Sequence, residues 1–294
     1  MANLKAIRIR ITSVKSTRQI TSAMKMVSAA KLRKAQDKIV RLRPYASKLY
    51  EVLVGLTQSL SDSEVDNAYG REAAPDRVLI VVITSNRGLC GAFNTNVIKE
   101  VRRMISEDYN DQFRSGNLSF LTIGKKGYDY FRKQHVKMLP EQNNLINDPT
   151  FENISVLAEQ IMNSFLAGEV DRVELVYNHF KNAAVQNLTT EIFLPVQAAG
   201  PGNTQVTPVD YIYEPTREEI VKELIPKSLR IQFYKAVLDS FVAEHGARMT
   251  AMHKATDNAT DIIRDLTLQY NKARQAAITN QILEVVSGAE ALRG

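Results

Sequence analysis

Three patterns of apolar spacing follow one another along the 294 residues. From Asn3 to Val54 there is no Gly and one Pro, Pro44, and the apolar positions open at helical intervals, Leu4, Ile7, Ile11 and Val14. A long helix is expected here, with Pro44 as the place for a kink. Between Lys15 and Lys34 that stripe is expected to fail. The residues there are small, basic or sulfur-bearing, and Met24, Met26 and Val27 fall on different faces, more than one partner stripe can cover. Something is expected to surround this stretch. The segment from Ser59 to Pro75 is polar and reads as a connection.

The period then changes. RVLIVVIT (77–84), LSFLTIG (118–124), RVELVYNHF (172–180) and LTTEIFLPV (188–196) are short apolar or alternating runs of strand type. Between them, Asn94 to Glu107, Lys126 to Gln134 and Asn153 to Ala167 carry helical spacing. That order predicts an α/β layer structure around a mainly parallel sheet with right-handed crossovers. The third pattern covers Lys227 to Ser287, which has no Pro and a single Gly, Gly246. Alternating steps of three and four from Ile231 pass through Leu238, Phe241, Met252, Ala259, Ile262, Leu266, Ala273 and Leu283, with twelve of the sixteen positions apolar. Such a seam, at 1.5 Å per residue, implies a helix of roughly 90 Å, which a compact domain of this mass cannot enclose. It needs a second long helix to cover it, and the N-terminal one is the candidate. The expected fold class is α/β: a long antiparallel coiled coil of the N- and C-terminal helices with a Rossmann-like α/β domain inserted. The expected division is 1–58 for the first helix, 76–200 for the α/β domain and 216–294 for the last helix.

Charge sharpens this picture. The net charge is +6, but residues 1–43 hold twelve Lys and Arg against one acid, Asp37. So biased a block calls for an anionic partner, whether nucleic acid, lipid or an acidic protein surface. Nucleic-acid or membrane-surface binding by a basic coiled coil is the alternative reading. It is weakened by the absence of any aromatic residue from 1–43, since such binders interleave aromatics or bulky apolar anchors with their basic residues. The longest apolar run, Val78 to Ile83, is far too short to span a bilayer. The basic N-terminus lacks the apolar core of a secretory leader. One cysteine, Cys90, excludes an internal disulfide and fits a reducing compartment.

Candidate chemistry is thin. SNRGLCGAFN (85–94) follows a strand, but it is not GxGxxG and has no evident ribose-binding acid, so a tight strand-to-helix turn is the expected role. GKKG (124–127) lacks the length and the Lys-Ser/Thr ending of a phosphate loop. His135, His179, His245 and His253 are scattered, without the spacing of metal ligands. No acid, base and nucleophile converge as a free-standing enzyme would require. No cofactor, metal or catalytic residue is expected.

Several blocks carry a resemblance that covers nearly the whole chain. LKAIRIRITSVKSTRQITSAMKMVSAAKLRKAQ (4–36), with ITSAMKMVSAAK inside it, and YNKARQAAITNQILEVVSGAEAL (270–292) resemble the two terminal helices of the gamma family of F-type ATP synthases. SNRGLCGAFN, DYIYEP (210–215) and ARMTAMHKATDNA (247–259) are similar to its middle blocks. The resemblance implies a non-catalytic rotor, the central stalk, which couples ion flow across a membrane to ATP synthesis or hydrolysis. Its implied partners are the alpha and beta subunits of the catalytic head, where the active sites lie, an epsilon-type stalk subunit and a membrane c-type rotor ring, with no nucleic acid. The implied location is the cytoplasmic face of a bacterial inner membrane, peripheral and held there through the complex.

Residue by residue, the resemblance places Met24 and Lys25 beside acidic loops of the head. It matches Arg248, Arg274, Gln275, Thr279 and Gln281 to head contacts, and Tyr211, Tyr213 and Glu214 to the foot on the rotor ring. Gln281 departs from the family, which usually carries Glu there, while Glu284 keeps its acid. The amide loses the charge of a specific ionic contact but still donates and accepts hydrogen bonds. A shaft that must turn without deep wells suits the apolar end Ala276, Ala277, Ile278, Ile282, Leu283, Val285 and Val286, because dispersion is non-directional.

Overall fold

The computed structural model describes residues 4–59, 69–70, 75–134, 136–196 and 217–292. Helix α1 (Leu4–Ser59) comes first, and Pro44 lies inside it without ending it. Strand β1 (Val78–Ile83) follows, then helices α2 (Phe93–Glu107) and α3 (Asn110–Arg114), strand β2 (Leu118–Ile123) and helix α4 (Lys125–Phe131) with a closing 3₁₀ turn (Arg132–Gln134). Next come the short strand β3 (Lys137–Met138), helix α5 (Phe151–Leu166), and strands β4 (Arg172–Phe180) and β5 (Gln186–Leu194). The chain closes on α6 (Arg217–Ala291), 75 residues of continuous helix.

The sheet runs β3-β2-β1-β4-β5. The first four strands are parallel, and β5 returns antiparallel to β4. Every residue of β1 is buried, the mark of a central parallel strand covered on both faces. On one face Val78, Ile80 and Val82 pack with Val97, Val101 and Met104 of α2 and with Phe120 and Phe131. On the other, Leu79 and Leu121 share a cavity wall with Leu157 and Ile161 of α5. The bidentate pair of Arg77 with Asp171, at 2.9 and 3.0 Å, ties the entry of β1 to that of β4.

The sequence expectation of alternating strands and helices holds, with two elements added. Strand β3 has two residues and α3 has five, too short for either period to declare itself. Strand β5 lies two residues earlier than expected, and its antiparallel pairing follows from the tight connection after β4, which has no room for a crossover helix.

Two compact units emerge: residues 1–28 with 249–294, and residues 29–248. In the first, α1 and the end of α6 run antiparallel, with the Thr21 and Thr256 hydroxyls 2.8 Å apart and Lys25 Nζ 3.4 Å from His253 Nδ1. In the second, Arg43 of α1 reaches Asp239 of α6 at 3.3 Å and donates to the Phe180 carbonyl at 3.2 Å.

The expected failure of the α1 stripe does not occur. In the first unit the covered positions are 4, 7, 11, 14, 18, 21, 25 and 28, and in the second 32, 35, 39, 42, 46 and 49, an unbroken alternation of three and four. The pattern was hidden because Arg18, Thr21, Lys25 and Ser28 occupy inner positions. Thr21 meets its partner hydroxyl and Ser28 donates to the Met24 carbonyl at 2.8 Å, so polar groups sit there without loss of hydrogen bonding. Met26 and Val27 point outward, 65% and 57% exposed.

The seam expected along α6 also shifts. In the second unit residues 236–248 are buried without a gap, the signature of a helix enclosed on all sides. In the first unit the inner positions are Met252, Ala259, Ile263, Leu266, Tyr270, Ala273 and Ala277. Ile262 and Leu283, both on the expected seam, are exposed. The step after Ala259 is four where a rigid alternation put three, and that one residue moves every later position.

Candidate functional site: collar, crevice and tip

Three places hold the residues singled out above. The crevice at the carboxyl ends of β1 and β4, where strand order reverses, is where sheets of this kind receive ligands. Here it is filled by α6. Arg248 donates to the carbonyls of Arg87 at 3.0 Å and Gly88 at 3.5 Å. Its other side is held by Glu244 at 2.6 Å, both side chains below a tenth exposed. A Cβ on Gly246 would stand 3.3 Å from Ala183 Cα and from the Phe180 ring, so glycine is what lets α6 lie this close. The turn itself is locked from within. Asn94 accepts from the Ser85 amide at 2.9 Å and donates to Ser85 Oγ at 2.8 Å, and Leu89 and Gly91 take positive φ.

GKKG serves packing as well. A Cβ on Gly124 would fall 2.1 Å from the Thr84 carbonyl oxygen, while the Gly127 amide donates to Thr84 Oγ1 at 2.9 Å. Burial pushes the Cys90 thiol above its usual range, so it stays protonated and unreactive at neutral pH. Burial, and then the cations Arg248 and Lys31, drives His245 down to about 3. It is neutral, and burial raises its neighbour Glu244. Across the same unit the fully buried Asp239 is raised by burial, which His179 Nδ1 at 3.0 Å and Arg43 counter. These ion pairs fasten elements together; among the described residues no His, Cys, Asp and Glu group has the makings of a metal site.

The collar is in the other unit. Met24 and Lys25 are half-buried on α1, with Lys25 against His253. At the tip, Arg274, Gln275, Thr279 and Gln281 are all exposed. Their spacing puts Gln275 and Thr279 one turn apart and Arg274 and Gln281 two turns apart on an adjoining stripe. With Thr21 beside Thr256, Leu4 falls opposite about residue 273, since antiparallel helices advance equally. The remainder of α6 overruns the described start of α1, and positions 278–292 are exposed throughout. Ile278, Ile282 and Val285 form an apolar stripe there, with Val285 72% exposed. Arg248 is set apart from both groups, its guanidinium spent inside its own unit. Tyr211, Tyr213 and Glu214 lie outside the described residues. Sequence reasoning missed the role of Glu244, although its i, i+4 spacing to Arg248 is a legible signal. It also missed the contact between Lys25 and His253, which no local spacing announces.

Comparison with known proteins bears on this geometry over its whole length. The sequence pattern of the ATP synthase family matches residues 3–292. The ATP synthase gamma chain of Flavobacterium johnsoniae is 56% identical over the full length of both chains, and that of Cytophaga hutchinsonii 51% over 99% of each. Among solved structures, the central stalk and c-ring of Tetrahymena thermophila mitochondrial ATP synthase matches with a TM-score of 0.57 at 25% identity, covering 80% of this chain and 99% of that one. A chain of the Euglena gracilis mitochondrial ATP synthase shares the fold, with a TM-score of 0.66 at 22% identity, covering 98% and 94%. With full-length identity of this order, the chain belongs to the ATP synthase gamma-chain family, the non-catalytic central rotor stalk of that complex.

Proposed function

We propose that this chain transmits torque between a membrane c-type rotor ring and a catalytic head of alpha and beta subunits, with an epsilon-type subunit beside it on the stalk. The observation that carries the reading is the tip of α6, whose residues 278–292 are exposed on a continuous helix and include an apolar stripe. Apolar surface left open at the end of a long helix calls for a sleeve supplied by other subunits. The head contacts are Met24 and Lys25 at the collar and Arg274, Gln275, Thr279 and Gln281 at the tip. Arg248 contributes by holding the 85–91 turn against α6. Tyr211, Tyr213 and Glu214 form the foot on the rotor ring. The chain divides functionally into 1–58, 76–200 and 216–294.

Each catalytic site is biased among its conformations as a different side of the shaft turns toward it, since a contact shifts an equilibrium only by its differential affinity for the states. The complex sits peripherally on the cytoplasmic face of the inner membrane; no described helix is long and apolar enough to cross a bilayer. Affinity purification of the chain under native conditions from its own cell should bring down the catalytic subunits. Recovery of a lone monomer overturns the reading. Lys25→Glu should lower ion transport per ATP hydrolysed while leaving the thermal stability of the chain within about 0.5 kcal/mol; unchanged coupling removes Lys25 from the collar contact.

A further inference from the structure

In the paired helices of the first unit, one ring nitrogen is shared between a cation and a carboxylate. His253 Nδ1 lies 3.4 Å from Lys25 Nζ and 3.3 Å from Asp257 Oδ2. The two neighbours make opposite demands. An ammonium can only donate, so Lys25 requires a bare lone pair on Nδ1; a carboxylate can only accept, so Asp257 requires a proton there. Both distances exceed the usual 2.7–3.2 Å of such bonds, as expected of an atom held between two claims. From α1 the ring faces Lys25 and from its own helix Asp257, the charged side chains within bonding reach of it among the described residues.

We propose that His253 is a proton-gated positioning residue for Lys25. With the ring neutral and Nδ1 unprotonated, it accepts from Lys25 and ties the ammonium to α6. Protonation places a hydrogen on Nδ1 and a positive charge on the ring. The bond to Lys25 is then lost, two cations repel, and the ring turns to Asp257. Lys25 is released toward the anionic surface that surrounds the collar. Proton access is open, since the His253 and Asp257 side chains are 57% and 62% exposed. Histidine is the side chain whose ordinary pKa, about 6.5, lies in the physiological range. The device therefore strengthens the collar contact as pH falls and relaxes it as pH rises. It rests on the reading of Lys25 as a head contact.

The test uses the assembled complex in vesicles, with ion transport per ATP hydrolysed measured from about pH 5.5 to about pH 8.5, a span that brackets the histidine range. Each variant is expressed relative to the parent at the same pH. His253→Gln should hold the alkaline behaviour and His253→Lys the acid behaviour, so their ratio to the parent should change about two- to threefold across the range, the scale of an exposed ion pair. If His253→Gln follows the parent at every pH while Lys25→Gln differs from it, the proton gate is overturned and the collar reading survives. If Lys25→Gln matches the parent at every pH, the collar reading itself fails. Should a variant not assemble, the reaction rate of Lys25 with an amine reagent in the free parent chain, normalised to the exposed Lys15, decides. The ratio should rise about two- to threefold toward acid, and a flat ratio overturns the proposal.

Discussion

His245 shows how burial assigns chemistry that residue identity leaves open. It is 6% exposed on α6 with Arg248 one turn away, and desolvation joined by that cation holds its folded pKa near 3. Between that value and the ordinary histidine pKa the unfolded chain binds a proton that the folded chain refuses. Stability contributed by this group is thus present in full above about pH 6.5 and lost as pH falls, on the order of 2 to 3 kcal/mol by about pH 4.5. Glu244 and Asp239 work in the opposite sense, because burial raises both and the folded state gains their protons first. Comparing His245→Gln with the parent separates the contributions. Denaturant unfolding across this range should give the variant a shallower acid decline, and parallel curves would place the acid sensitivity elsewhere. The two threonines of the pair Thr21 and Thr256 teach a related lesson: hydroxyls that read as surface become inner positions once each supplies the other's hydrogen bond.

For single elements, period and chemistry proved separable. Helix α1 keeps an even seam from Leu4 to position 49 although polar residues occupy several inner sites, while α6 changes from full enclosure to a narrow seam and then to full exposure. The enclosed stretch is anchored by Glu244 and Arg248, and Arg248→Ala would leave the buried Glu244 without its cation. That should cost about 3 to 5 kcal/mol and release the 85–91 turn, visible as faster amide exchange there; exchange unchanged at 85–91 would show that the internal bonds of Asn94 suffice. The exposed end behaves differently. Ile282→Asp should leave the free chain's stability within about 0.5 kcal/mol yet weaken assembly with the head by about 1 to 3 kcal/mol if the side chain is covered there. Titration of the chain onto the remaining subunits measures this, and equal affinity would mean that Ile282 stays uncovered.

Taken whole, the molecule combines a basic N-terminal block, twelve Lys and Arg against one acid in residues 1–43, with an apolar helix end. Charge of one sign keeps copies apart at low ionic strength and is screened as salt is added, whereas burial of apolar surface does not weaken in this way. The free chain should therefore self-associate more as salt rises, and sedimentation velocity at low and high salt checks it; a monomer under both conditions would mean that the tip is covered within the chain.

Much of this was legible in the residues. Helix breakers confined to the connections, strand-type runs at even intervals and two long breaker-free ends determined the order of elements and the two-helix-plus-sheet plan, because backbone propensity and apolar period are local properties. The family blocks at both ends pointed to a rotor stalk. What the tertiary structure decided were the matters that depend on a partner far away in sequence. They include the phase of the α6 seam after Ala259, the polar interior of α1, the filling of the sheet's crevice by Arg248, and the sharing of His253 between Lys25 and Asp257. Each turns on which groups are removed from water together, and desolvation and hydrogen-bond satisfaction belong to pairs brought close by folding, not to any one stretch of chain.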